Sequence, residues 1–134
     1  MCGIWLALLL KNSSFGKYYE HFMNFKMRGP ENSIFNIINC NNKNAMLGFH
    51  RLAINGLFHS TANQPFIYDE TNYTVYVMCN GEIYNYKNLA AEYDFDLKTG
   101  SDCEVIYPLY KLFGEKMVEK LDGVATSSTK LDNF

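Results

Sequence analysis

The sequence predicts an α+β fold, because helical and strand patterns occupy separate stretches of the chain. Apolar residues recur at helical spacing within residues 14–27, and a second helical pattern covers residues 101–114. Since 48% of the chain is hydrophobic, these elements can enclose the core of one globular domain. Strands are favoured by apolar, β-branched or aromatic runs, which occur at residues 4–10, 34–38, 45–52 and 73–79.

The first strand is predicted over residues 4–10, which are all apolar. An uninterrupted apolar run is typical of a strand that is buried on both faces. A helix follows over residues 14–27, because apolar side chains recur there at helical spacing. Ser13 or Ser14 can cap its start, and Arg28-Gly29-Pro30 ends it.

The middle of the chain predicts a hairpin and one further strand. Residues 34–38 and 45–52 form the two arms of the hairpin, around an asparagine-rich loop. Residues 73–79 form the next strand, which leads directly into Asn80-Gly81-Glu82. A helix is expected over residues 85–93.

The last third of the chain predicts two helices and a tail. Ser101 and Glu104 have the spacing of a capping box at the start of the first helix, and Pro108 predicts a kink inside it. A short helix is expected over residues 115–121. Residues 125–134 are polar and aperiodic, which predicts an irregular tail.

Composition argues against several classes of function. A net charge of −2 provides no basic surface for nucleic acid or for an anionic membrane. Residues 4–10 are far shorter than the ~20 apolar residues that cross a bilayer, and they lack the flanks of a signal peptide. The cysteines at 2, 40, 79 and 103 form no metal-binding motif. Free thiols, no metal site and a cytoplasmic location are therefore expected.

Cys2 is a candidate nucleophile because it follows the initiator methionine. Removal of Met1 would leave a residue that has both a thiol and a free α-amine, and such amines titrate near pH ~7.7–8.0. The amine can then act as the base for its own thiol. Taken alone, however, Cys2 is better explained as an ordinary cysteine at the start of a strand.

Four motifs change that interpretation: Cys2-Gly3-Ile4, Phe49-His50-Arg51-Leu52-Ala53-Ile54, Asn80-Gly81-Glu82-Ile83-Tyr84-Asn85 and Thr99-Gly100-Ser101-Asp102. Together they resemble the class II glutamine amidotransferase domain of glutamine-hydrolysing asparagine synthetases. Arg28-Gly29-Pro30 and Leu121-Asp122-Gly123-Val124 fit the same family. The resemblance implies a domain over residues 2–124, a non-matching tail over 125–134, and a four-layer αββα sandwich of the N-terminal-nucleophile type that is incomplete at its C-terminus.

The resemblance also implies a role for each motif residue. Cys2 would attack the side-chain amide of glutamine. The Asn80 amide and the Gly81 N–H would stabilise the oxyanion. Arg51 would bind the substrate carboxylate, and the anions Glu82 and Asp102 its ammonium group. Backbone groups of Gly81 and of Leu52, Ala53, Ile54 and Asn55 would complete the glutamine site, whereas His50 would serve packing.

The implied activity is hydrolysis of glutamine to glutamate and ammonia, with L-glutamine as the ligand. No cofactor is expected for this half-reaction; ATP and Mg²⁺ would belong to the synthetase domain, which this sequence lacks. A synthetase domain or a full-length subunit is the expected protein partner, and neither nucleic acid nor a membrane is expected. Two alternatives remain open: the glutaminase domain of another class II amidotransferase, and a non-catalytic gene fragment or glutamine-binding regulatory remnant.

The sequence departs from the family pattern in several places. Met27 and Glu31 replace the usual histidine and aspartate on either side of Arg28-Gly29-Pro30, and Ala62-Asn63-Gln64-Pro65 lacks the glycine that is common before Gln-Pro. After Val124, the apolar strand expected of the family is replaced by polar sequence. We therefore expect weak or absent activity from the isolated chain.

Overall fold

The computed structural model describes residues 2–9, 15–40, 43–52 and 62–128, and it confirms the α+β class. The strands are β1 (Gly3–Leu9), β2 (Asn32–Cys40), β3 (Lys43–Arg51), β4 (Phe66–Asp69), β5 (Thr74–Val77), β6 (Cys79–Ile83) and β7 (Gly123–Ser128). The α-helices are α1 (Phe15–Met23), α2 (Tyr86–Glu92) and α3 (Ile106–Phe113). Short 3₁₀ helices cover Lys26–Arg28, Asp102–Val105 and Gly114–Lys120.

The first half of the described chain forms an antiparallel sheet in the order β1-β3-β2. The hairpin predicted from the sequence is confirmed as β2 and β3, and β3 is the central strand. The prediction that β1 is buried on both faces was wrong. β1 is an edge strand of this sheet, and its Leu6 and Leu8 are 38% and 59% exposed. A continuous apolar run cannot by itself distinguish a central strand from an edge strand.

Helix α1 packs on the sheet through Phe22, and Gly48 makes this contact possible. A Cβ atom at position 48 would lie only 2.3 Å from Cδ2 of Phe22. The Phe22 ring stacks on His50 at 3.9 Å and also contacts Trp5 and Phe35. Only part of the amphipathic stripe predicted from the sequence covers the sheet: Phe22 is buried, whereas Phe15 and Tyr19 of the same stripe are 43% and 47% exposed.

The second half of the described chain forms a second core around two small sheets. β4 pairs with β5, and β6 pairs with β7, both in antiparallel fashion. Helices α2 and α3 cover this core with Leu89, Ile106 and Leu109. None of the helices in the described part of the chain is long and apolar enough to cross a membrane.

The C-terminal predictions needed correction in two places. Residues 125–128 continue strand β7 and are not an irregular tail, because backbone pairing with β6 does not require apolar side chains. Residues 129–134 lie outside the described part of the chain. Ser101 makes no side-chain cap, and the predicted kink is replaced by a change from 3₁₀ to α-helix at Ile106. This change places Pro108 in the first turn of α3, where proline is tolerated.

Candidate active site

The predicted motifs converge on one pocket of about 170 Å³. It lies where β1 contacts β6, next to the end of β3 and the 3₁₀ helix that begins at Asp102. A cavity of this size suits a small metabolite, not a macromolecule. Seven of the predicted site residues line it: Cys2, Arg51, Leu52, Asn80, Gly81, Glu82 and Asp102. Ala53, Ile54 and Asn55 lie outside the described residues.

The thiol of Cys2 is held against the backbone at the end of β3. The backbone N–H of Leu52 donates to Sγ of Cys2 at 3.3 Å, and the Sγ–O distance to the Leu52 carbonyl is 3.6 Å. From the other side, Nε of Arg28 donates to the Cys2 carbonyl at 3.3 Å. Residue 2 is thus fixed through both its backbone and its side chain.

Arg28 reaches Cys2 because the following Gly29 packs directly on the end of β3. A Cβ atom at position 29 would lie 2.2 Å from the carbonyl oxygen of His50. A larger residue there would push this turn, and Arg28 with it, away from the sheet. The Arg-Gly-Pro motif therefore supports the position of Cys2.

Strand β6 brings Asn80, Gly81 and Glu82 to the pocket. An isolated Asn-Gly pair is typical of a tight turn, but here both residues belong to a strand. The pairing register of β6 with β7 shifts between Cys79 and Gly81. Such irregularities occur next to active sites, where they change the direction of side chains and release backbone groups from the ladder.

The pocket carries charged groups of opposite sign. Arg51 is only 8% exposed, and its Nη1 donates to Oδ1 of Asn63 at 3.1 Å. Asp102 is 4% exposed, and its Oδ2 accepts the backbone N–H of Ile83 at 2.7 Å. A buried charge is retained only where it has partners. A cation and an anion in one small cavity match a zwitterionic ligand.

The segment before Asp102 is organised by the buried carboxylate of Glu104. Its Oε1 accepts the N–H of Lys98, and its Oε2 accepts the N–H and hydroxyl of Thr99, all at 2.6–2.8 Å. The Glu104 carboxylate thus accepts from residues 98 and 99 and not, as the capping-box pattern predicts, from the backbone N–H of Ser101, which donates to Oγ1 of Thr99 at 3.2 Å. The effect is to fix the segment that delivers Asp102 to the pocket.

Two further thiols, Cys79 and Cys103, line the same pocket and are free, as is Cys2. A hydrogen bond to Cys79, burial and the nearby Asp102 carboxylate raise the pKa of Cys103. The same contact with Cys103 lowers the pKa of Cys79, against the opposing effect of burial. Both thiols are at most 3% exposed, whereas Cys2 is only partly buried. Because its thiol is more accessible to a ligand than those of Cys79 and Cys103, Cys2 is favoured as the reactive cysteine.

His50 occupies a structural position close to the site. Its Nε2 lies 2.8 Å from the carbonyl oxygen of Phe22, to which it must donate, and its Nδ1 lies 2.8 Å from Oγ of Ser33. Both ring nitrogens are thus engaged within the fold. This agrees with the packing role expected for His50.

Sequence reasoning missed several residues of this pocket, and the most informative is Gln64. It is 5% exposed, and its Oε1 accepts the backbone N–H of Cys79 at 2.5 Å. The Gln-Pro motif was the available signal, but a motif alone does not show which strand a side chain reaches. In the described part of the chain, no cluster of three or more His, Cys, Asp or Glu side chains could hold a metal ion.

Comparison with known proteins gives a consistent result. Residues 1–127 match the model of the glutamine amidotransferase domain family. The chain is 40% identical over 96 residues to a protein named "Probable asparagine synthetase (glutamine-hydrolyzing)" from Acanthamoeba polyphaga mimivirus, covering 71% of this chain and 17% of the relative. Asparagine synthetase (glutamine-hydrolyzing) of Zea mays is 38% identical over 128 residues, covering 92% of this chain and 20% of the relative. The Rattus norvegicus protein of the same name is 37% identical over 126 residues, with coverages of 92% and 21%.

Proposed function

The chain belongs to the glutamine amidotransferase domain family, and from this premise we propose that it hydrolyses the side-chain amide of glutamine to glutamate and ammonia. One observation carries the proposal. The Cys2 thiol, the Asn80-Gly81 segment, the Arg51 cation and the Asp102 anion all line a single small pocket. This is the set of groups that amide hydrolysis of an amino acid requires: a nucleophile, oxyanion donors and opposite charges.

The proposed reaction begins after removal of Met1, which frees the α-amine of Cys2. The amine accepts the thiol proton while sulfur attacks the side-chain carbonyl carbon of glutamine. The side-chain amide of Asn80 and the backbone N–H of Gly81 donate to the resulting oxyanion. Removing one such donor typically slows an enzyme by ~10²–10³. The protonated amine then gives its proton to the departing ammonia, and a glutamyl thioester remains on Cys2.

Water completes the proposed cycle by attacking the thioester. The amine accepts a proton from this water, glutamate is released, and the thiol of Cys2 is restored. Nucleophile, base and oxyanion donors are all groups of the protein, so the proposed half-reaction uses no cofactor.

Substrate recognition is proposed to depend on the buried charges. The guanidinium of Arg51 binds the glutamine carboxylate, because its planar fork matches two carboxylate oxygens. Asp102, which is held in place by Ile83 N–H, and Glu82 bind the ammonium group. Backbone groups of residues 52–55 and Gly81 are proposed to complete the contacts.

The wider setting is also a proposal. The chain spans about one fifth of the length of the curated relatives that it matches. We propose that the ammonia serves asparagine synthesis, through a synthetase domain or a full-length subunit that uses ATP and Mg²⁺. We also propose the four-layer sandwich of N-terminal-nucleophile hydrolases, supported by the family match and the α+β class. A cytoplasmic location is supported by the free thiols of Cys2, Cys79 and Cys103.

The proposed function is tested by covalent labelling with a diazo-ketone analogue of glutamine. Intact-mass spectrometry should show that Met1 is absent and that one label is added per chain. Peptide mapping should place the label on Cys2, and excess glutamine should protect against it. A Cys40→Ala variant is the matched control, because Cys40 ends β2 at the opposite end of the sheet from Arg51. Retained Met1, or equal labelling of all four cysteines, would refute the proposed function.

A further inference from the structure

Two adjacent residues, Asn63 and Gln64, contact both halves of the pocket. Oδ1 of Asn63 accepts a hydrogen bond from the Arg51 guanidinium at 3.1 Å. Oε1 of Gln64 accepts the backbone N–H of Cys79 at 2.5 Å. The first contact holds the end of β3, and the second holds the start of β6. This dipeptide thus links the charged part of the pocket to the segment that contains Asn80 and Gly81.

The contact of Gln64 determines where strand β6 begins. Cys79 is buried at the first position of β6, and a buried backbone N–H without an acceptor is costly. The register of β6 shifts directly after Cys79, so the ladder with β7 constrains this end of the strand less strictly. The Gln64 oxygen supplies the missing constraint. Through Cys79 it positions the next two residues, Asn80 and Gly81.

The contact of Asn63 orients the Arg51 guanidinium without neutralising it. A planar guanidinium binds a carboxylate well only when its plane is correctly rotated. An amide oxygen fixes that rotation as a neutral acceptor, whereas a carboxylate at the same place would cancel the charge that the substrate needs. Asn63 therefore suits a cation that has to remain attractive to a ligand.

We propose that Asn63 and Gln64 are positioning residues that govern two separate steps. Asn63 governs affinity for the carboxylate of the ligand through Arg51, and Gln64 governs the rate of the covalent step through Asn80 and Gly81. This inference rests on the proposed glutaminase function. It adds two residues to that function and assigns each of them a different kinetic effect.

The test compares variants of the full 134-residue chain in labelling by the diazo-ketone analogue. The dissociation constant for the analogue and the maximal labelling rate are measured separately. Asn63→Leu should raise the dissociation constant about tenfold, as expected for a hydrogen bond to a charged group, with the maximal rate unchanged. Gln64→Met should lower the maximal rate by about 10–100-fold, as expected for misplaced oxyanion donors, with the dissociation constant unchanged.

Two further variants separate positioning from loss of structure. Gln64→Glu retains an oxygen acceptor at the same place and should restore most of the maximal labelling rate. Thr74→Val removes a side-chain hydrogen bond to Asp69 in the β4–β5 hairpin and serves as the control. It should leave both labelling constants unchanged. If Asn63→Leu and Gln64→Met alter both constants alike, the division of roles is wrong.

A measurement without any ligand distinguishes failure of this inference from failure of the proposed function. Amide hydrogen exchange, followed by NMR, should show that Cys79 N–H is protected in the wild type and in Gln64→Glu but not in Gln64→Met. The Arg51 side-chain N–H signals should shift in Asn63→Leu. Unchanged signals in these variants would overturn the inference. A wild-type chain that shows these signals but is not labelled at Cys2 would instead overturn the proposed function.

Discussion

Tyr68 links the stability of the fold to pH. Burial, followed by the neighbouring Glu104 carboxylate, raises the pKa of Tyr68 from about 10 to about 12. In the unfolded chain the phenol loses its proton near pH ~10, whereas the folded chain keeps it. The contribution to stability is therefore complete below pH ~10, and it is lost as the pH rises towards 12.

This difference predicts that the free energy of unfolding falls between about pH 10 and pH 12, and that Tyr68→Phe reduces the fall. Phenylalanine keeps the ring contact with Tyr107, at 4.3 Å between centroids, but it cannot ionise. Urea unfolding of both proteins across this pH range provides the measurement. If the free energies of unfolding of the two proteins differ by the same amount at every pH, the fold does not keep Tyr68 in its neutral form.

At the residue scale, the sequence predicted seven residues that line the pocket, but not the side chains that hydrogen-bond to the backbone around them. Cys2, Asn80 and Asp102 stand in motifs, so their roles could be proposed from spacing and resemblance. Gln64 accepts from the backbone N–H of Cys79, 15 residues further along the chain, which depends on tertiary packing. Glu104 accepts from the backbone N–H groups of Lys98 and Thr99, six and five residues before it, a local contact that the capping-box spacing does not predict.

At the scale of elements, the seating of α1 on β3 depends on the absence of a side chain at Gly48. Gly48→Ala should destabilise the fold by about 1–3 kcal/mol, because overpacking a filled core has costs of this size. The new methyl group would overlap the Phe22 ring, which is confined by neighbouring aromatic rings.

The matched control for this substitution is Gly16→Ala, in the first turn of α1. A Cβ atom there would have no neighbour within 4 Å among the described residues. Alanine favours a helix over glycine by up to ~1 kcal/mol, so this variant should be neutral or slightly more stable. Thermal unfolding of both variants measures the difference. Equal effects of the two substitutions would contradict the proposed seating of α1.

The conformation of the segment before the 3₁₀ helix Asp102–Val105 depends on hydrogen bonds to the Glu104 carboxylate. Glu104→Ala removes the acceptor from the N–H groups of Lys98 and Thr99 and should cost about 1–3 kcal/mol. It should also weaken glutamine binding, because the segment that carries Asp102 is released. Calorimetric titration with glutamine and urea unfolding provide the two measurements, with Glu115→Ala as an exposed control. If Glu104→Ala leaves the affinity for glutamine unchanged, Glu104 does not help to hold Asp102 in the pocket.

Several elements were predictable from local sequence patterns. Helix α1, the β2–β3 hairpin and α2 are confirmed, although Phe22 is the only buried residue of the α1 stripe. β1 and β7 were misjudged because their neighbours determine their environment. β1 is apolar yet lies at a sheet edge, and β7 is polar yet pairs with β6. Neither the edge position of β1 nor the pairing of β7 can be inferred from the sequence of the strand itself.

At the scale of the whole molecule, the pocket residues are held firmly, whereas part of the first sheet is left uncovered by the described part of the chain. The pocket residues are held by hydrogen bonds from several elements, but Leu6, Leu8 and Ile37 of the first sheet are exposed. Exposed apolar side chains indicate incomplete cover of a core. Catalytic geometry requires a rigid surrounding shell, so the isolated chain should turn glutamine over slowly.

Because slow turnover is expected, a single-turnover experiment is the most direct test of whether Cys2 forms a covalent intermediate with glutamine. The chain is mixed with isotopically labelled glutamine and quenched in acid, and the adduct is located by mass spectrometry while ammonia is measured in parallel. A glutamyl thioester on Cys2 is expected, with one equivalent of ammonia released, and neither product should form in a folded Cys2→Ala variant. Ammonia release that persists in Cys2→Ala, or a wild-type chain that binds glutamine but forms no thioester, would contradict this expectation.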